Sequence, residues 1–295
     1  MTAPVLADEL GPRGKRIVWI ASAVSLIVLA ALVAVAVQRF ADKGQLDAEK
    51  WRLLGDPEVM QFLLGGLTTT LKIAVGGMVG ALVLGVVLSL TRLSQSLPLR
   101  FLSRLYTEFF RGFPLLLLIL FFFFGLPRLG IDWPRIWYMI VPLLLYNGAV
   151  IGELFRAGIL SLDRGQSEAA YAVGLSYWQA MRIVILPQAV RRMIPAIVGQ
   201  LVVLLKDTSL GFFVQFEELL RRAEITGRFG KNELQVFMVV AVVYMLVNMT
   251  LSQAARRLEV RQRRRYGAGG LAVAGVEDLA VVDAAAEAKV AGPKA

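Results

Sequence analysis

Asn147, Glu153, Arg156, Lys206 and Asp207 are the side chains of this sequence whose type and surroundings most invite chemistry. Each stands inside, or at the end of, a long apolar run. A charge in such a run is costly to bury and marks a path for an ion or a substrate. Glu153 and Arg156, three apart on a helix, share a face and can pair. They either line an interior path or anchor the end of their run at a membrane interface. Asn147 offers a hydrogen bond to a substrate or to a neighbouring helix. Lys206 and Asp207 close another run, where they either complement a helix end or face the mouth of a pathway. All five are substrate-pathway candidates. Catalysis is poorly served: the chain has no histidine and no cysteine, which removes the usual general base, the thiol nucleophile and Cys/His metal sites. The string Gly227-Arg228-Phe229-Gly230-Lys231-Asn232 looks like the end of a phosphate-binding loop. Ile225 stands where its first glycine would have to be, so nucleotide hydrolysis by that route is not expected. No catalytic or metal-binding residue is assigned.

The elements that must position these groups are membrane helices. The 295 residues are 57% hydrophobic with a mean hydropathy of +0.64, too apolar for a soluble domain to solvate. A net charge of +10 flanks the apolar runs, so it is read against anionic lipid and topology, not nucleic acid. Residues 1–16 form a polar N-terminus. Residues 17–37 carry no charge and are long enough to cross a bilayer. The run exceeds the roughly 7–15 residues of a signal-peptide core, which favours a retained signal anchor. Residues 38–65 read as an external connection with an interfacial helix, and 66–255 as the core. Its spans are expected at Leu67–Leu90, Leu105–Leu126, Ile136–Ala157, Arg192–Leu205 and Leu234–Leu251. Gly76 and Gly80, with Gly77, Ala81 and Gly85, set small residues four apart on the second span, allowing close helix approach. Glu108 and Arg111 are placed to pair at the start of the third, and Phe212–Asn232 reads as a polar connection. Residues 256–295 begin with Arg256, Arg257, Arg261, Arg263, Arg264 and Arg265 and continue as a tail without a strong period. Lys and Arg are more frequent on the side that puts both termini in the cytoplasm. The fold class is therefore all-α, a polytopic membrane protein of about six helices.

One polar and amphipathic island, within 163–190, interrupts the apolar core. Asp163 is placed to cap a first short helix, with Gln166 three residues on. Gly174 stops it in the left-handed region. Ser176 and Gln179 form an S-x-x-Q box that starts a second helix, and Pro187 ends that pattern or opens the next element. Met181, Ile185 and Leu186 share a face of the second helix.

Glu168-Ala169-Ala170, then Gly174, then Val184-x-Leu186-Pro187 resembles the EAA loop of ABC importer permeases, with Val184 where isoleucine is usual. Arg111 to Leu116, Glu153 to Ile159 and Leu205 to Leu210 resemble the branch of that family that carries polar amino acids, with Phe113 where threonine is common. Ala41 to Asp47 is similar to actinobacterial glutamate permeases. The resemblance covers roughly 60–255. It implies the type I importer permease fold in a bacterial cell membrane. Glu168, Ala169, Ala170, Gly174, Leu186 and Pro187 would couple the chain to cytoplasmic ABC ATPase subunits. ATP would be bound there, and this chain would hold no cofactor. An extracytoplasmic binding protein would deliver an amino acid, glutamate first, to a pair of permease chains, the second being a copy or a relative. The alternative is a secondary transporter or channel that works alone, for which inverted repeats are expected. No internal repeat is evident.

Overall fold

A computed structural model describes residues 11–254, 256 and 257. The N-terminal residues 1–10 and nearly all of the tail therefore lie outside the described residues. Helix α1, Pro12–Asp42, has a mean hydropathy of 2.8 over its most apolar window and buries none of it against the rest of the chain. A short helical turn, Ala48–Arg52, leads to α2, Pro57–Leu93, capped by Asp56, whose carboxylate accepts from the Glu58 amide at 2.9 Å. Most of the expected interfacial helix is thus the first turns of α2.

Helix α3, Leu97–Gly112, and α4, Leu115–Arg128, meet at a bend of 97°. Here the structure corrects the expectation of one continuous span from Leu105 to Leu126. Pro114 removes a backbone donor and pushes Phe113 into the extended region, at φ −84° and ψ 130°. The expected Glu108–Arg111 pair is also absent. Glu108 instead accepts from Arg104 Nε at 2.7 Å, one turn towards the N-terminus, the direction in which helical side chains lean.

Helix α5, Trp137–Leu160, packs along α2 and forms the centre of the protein. The glycines foreseen for close approach are at this seam. A Cβ on Gly76 would sit 3.0 Å from Ile140 Cδ1, and one on Gly85 3.0 Å from the backbone nitrogen of Gly152. Helix α6, Arg164–Ala172, precedes α7, a helical rod of 38 residues from Tyr177 to Val214. The chain closes with α8, Leu219–Gly230, and α9, Glu233–Ala254. Among the described residues, five helices qualify as spans by length and composition, and the bent α3–α4 pair, counted as one, makes a sixth. The polar connection Phe212–Asn232 contains α8 over more than half of its length.

A polar clamp fixes α8 across one end of the bundle. Glu218 is fully buried; its carboxylate accepts from Tyr244 Oη at 2.8 Å and from the Arg221 amide at 2.9 Å. Burial pushes this carboxyl above its ordinary range. Arg222 donates to the Phe62 carbonyl at 2.8 Å, Asn232 to that of Lys50 at 2.9 Å, and Gln235 to that of Gln45 at 2.6 Å. The segment after α1 is thereby tied to the start of α9.

Candidate functional site

The island at 163–190 stands at the opposite end, where α5 leaves the bundle. Asp163 Oδ1 accepts from the Gly165 amide at 2.9 Å and starts α6. Gln166 does not complete a box with it; its side chain accepts from Gln188 of α7 at 2.9 Å. Arg192 of α7 donates to the Ser161 carbonyl at 3.0 Å. The first island helix is thus pinned to the rod beneath it. Gly174 has φ +83° and ends α6 as expected. Ser176 and Gln179 form the full capping box, with the Ser176 amide donating to Gln179 Oε1 at 2.8 Å.

The second island helix is not separate from the fifth span. It begins at Tyr177, passes through a π turn at Met181–Ile185, and continues from Leu186 to Asp207 without a break. Pro187 would clash with the carbonyl four residues back in a regular α-helix, and the wider π turn relieves that clash. The same solution recurs at Phe121–Gly125, just ahead of Leu126-Pro127. Ile185 is buried in the cluster that also holds Met78, Ile151, Phe155 and Met193, and Ala180 is buried too. Ala170 is buried as well, whereas Glu168 and Ala169 are exposed. Around them Tyr171, Val173 and Trp178 are 47%, 77% and 66% exposed. An exposed apolar and aromatic patch on a polar loop is the composition of a docking surface. The motif read from the sequence mixes outward residues with the buried Ala170; the patch itself needed the fold.

The cap makes a local prediction. Ser176→Ala removes the acceptor for the first turn of α7, at a cost of about 1 kcal/mol. Hydrogen exchange at Tyr177–Ala180 should quicken roughly fivefold. Unchanged exchange there would show that packing alone holds the turn.

The five candidate pathway groups do not converge. Asn147 is fully buried; its Nδ2 donates to the Leu143 carbonyl at 2.9 Å and its Oδ1 accepts from Gln200 at 2.7 Å, joining α5 to α7. Glu153 pairs with Arg156 at 3.1 Å and with Arg92, at the end of α2, at 2.6 Å. This triad closes the bundle at the island end. Lys206 is exposed and Asp207 half-buried at the far end of the regular part of α7. Arg92 and Gln200 were not singled out in the sequence, because only folding brings them to their partners.

A model of the family described as "Binding-protein-dependent transport system inner membrane component" matches residues 77–264, which include every residue of the island. The chain belongs to this family. Among its relatives, the "Probable glutamine ABC transporter permease protein GlnP" of Bacillus subtilis is 39% identical over 70% of this chain and 95% of its own length. The "Glutamate transport system permease protein GluD" of Corynebacterium glutamicum is 37% identical over 75% of this chain and 82% of its own. A solved amino acid ABC transporter, crystallised with histidines, superposes with a TM-score of 0.67 at 29% identity, covering 71% of this chain and 98% of its own. The protein is thus an ABC permease of the polar amino-acid group, as its motifs led one to expect. Permease subunits of this family are not enzymes themselves. In the permease the second island helix and the fifth span are one continuous helix.

Proposed function

We propose that the chain imports an acidic amino acid, glutamate first, as one of two permease subunits driven by cytoplasmic ABC ATPases. The supporting observation is the exposed two-helix handle whose second helix runs on as the fifth span. ATP closure of the ATPases would press on α6 and on the first turn of α7. Because α7 is continuous from Tyr177 to Val214, the push tilts that span against α2 and α5. An extracytoplasmic binding protein would deliver cargo at the end closed by α8, and both termini would lie in the cytoplasm. Glu168, Ala169, Ala170, Gly174, Leu186 and Pro187 are assigned to coupling. Cargo biases the cycle only through unequal affinity for the two states of the pair. The corynebacterial relative named for glutamate supports the cargo assignment, against relatives named for glutamine and arginine.

Vesicles holding the assembled importer and its binding protein test this reading. ATP-dependent uptake of glutamate should exceed that of glutamine and arginine at least tenfold. Uptake driven by an ion gradient with no ATPase present would replace the reading with that of a self-sufficient transporter.

A further inference from the structure

The broken third span carries a feature that the coupling reading leaves unused. Arg100, Arg104, Glu108 and Arg111 recur at four, four and three residues, so they form one flank of α3. Ser103 and Thr107 face the protein and are buried, with Ser103 Oγ donating to the Leu88 carbonyl at 2.8 Å. Phe101, Leu102, Leu105 and Phe109 are exposed on the other side, 55–65% each, as a lipid-facing surface. The charged flank lies between the two, and it too is open: Arg104 is 66% and Glu108 59% exposed.

Depth makes this flank significant. Tyr106 Oη donates to the Leu145 carbonyl at 3.0 Å, eight residues into α5. Phe110 and Phe113, like Leu145 and Tyr146, pack against the buried cluster of Leu118, Phe122, Leu126 and Tyr138. Arg111 therefore lies at the level of the interior of the bundle, not at its rim. A charge held there against hydrocarbon is costly. The backbone break at Gly112 to Pro114 is at the same level, with Gly112 and Pro114 exposed. Non-helical backbone at membrane depth is tolerated only inside protein or beside water. Two independent features, the charges and the exposed break, thus require a polar environment on this flank. Towards the island end the flank opens into a cavity of about 430 Å³ lined by Arg92, Leu97, Arg100, Phe101, Arg104 and Arg156.

Within this flank the charges do not cancel. Arg104 is taken up by Glu108, and Arg92 and Arg156 share Glu153. Arg100 and Arg111 have no ion partner among the described residues. We infer that this flank lines the water-filled part of the cargo path on the island side, and that Arg111, at the break, selects an acidic amino acid through its carboxylate. The inference rests on the importer reading and adds a specificity residue to it.

The chain has no native cysteine, so single cysteines report without background. R104C and R111C, in assembled importer without ATP, are exposed to a membrane-impermeant thiol reagent from the island side. Both should label at least tenfold faster than V83C, on the exposed apolar face of α2. R111C that labels no faster than V83C, or that only cross-links to a second copy, would overturn the water-lined path. In uptake, Arg111→Gln should lower acidic amino-acid import at least tenfold and leave glutamine import within twofold, with Arg111→Lys restoring most of the loss. Equal loss for both cargoes, or none, would overturn the selectivity. Wild-type vesicles that import only neutral or basic amino acids would refute the acidic cargo, while the labelling would still decide whether the flank meets water.

Discussion

Glu168→Lys should abolish ATP-driven uptake while the protein still inserts and folds. Glu168 projects from α6 into solvent, makes no side-chain hydrogen bond or ion pair among the described residues, and is followed by Ala169, also exposed. Ala170, one position on, is 4% exposed and holds α6 against the protein. The helix thus divides into a face that anchors it and a face that is free for a partner. A carboxylate on the free face, next to Tyr171 and Val173, meets a partner groove only if that groove supplies donors. Reversing its charge removes those bonds and places a cation against them. Breaking one buried, hydrogen-bonded charge contact of this kind costs about 2–5 kcal/mol, roughly 30-fold or more in affinity. Co-purification of the ATPase should fall accordingly, with the yield of permease unchanged. Recovery of ATPase at the wild-type level would place the contact elsewhere on the island. Ala170→Leu serves as the contrasting variant: it strains the anchoring face and should lower permease yield as well.

Local signals account for most of what the sequence made legible. The capping box at Ser176, the left-handed stop at Gly174 and the glycine spacing on α2 are interactions over a few residues, and each stands in the structure where the pattern placed it. The error over the third span came where a proline has two outcomes. Pro114 breaks its span by 97°, whereas Pro127 and Pro187 leave their helices continuous through π turns. All three look alike as apolar residues around a proline. What separates them is the neighbourhood: Ile185 and Ala189 are buried on both sides of Pro187, while Gly112 and Pro114 are exposed. The polar partners were illegible for a related reason. Asn147 with Gln200, and Glu153 with Arg92, are 53 and 61 residues apart in the chain, and only the packing of α5 against α7 and α2 joins them. Charges on α3 were visible, but their arrangement into an open flank required knowing that Ser103 and Thr107 point inward.

Gly85→Leu should cost the permease its folded state, and Gly85→Ala should weaken it. In an exposed helix, replacing glycine by alanine gains about 1 kcal/mol from helix propensity. Gly85 is where that gain is reversed. A Cβ there would lie 2.6 Å from Ile151 Cγ2 and 3.0 Å from the backbone nitrogen of Gly152. Ile151 is fully buried and cannot swing aside, and a helix backbone cannot retreat without moving all of α5. A Cβ on Gly152 in turn would sit 3.4 Å from the Gly85 carbonyl, so the two glycines define the close crossing of α2 and α5 from both sides. Overpacking such a site costs about 1–3 kcal/mol for one added carbon and more for a branched side chain, against a total stability of roughly 5–15 kcal/mol. The α2–α5 pair also carries Asn147 and Glu153, so its separation would loosen the link to α7 and the closure at Arg92 together. Gly199 on α7 is the control, because a Cβ there meets nothing within 4 Å. Thermal unfolding in detergent should therefore rank Gly199→Ala at or above wild type, Gly85→Ala several degrees below, and Gly85→Leu with little folded protein to measure. If Gly85→Leu melts with the wild type, α2 and α5 do not cross where these contacts place them, and the span that holds both the island and the buried asparagine bond needs a different neighbour.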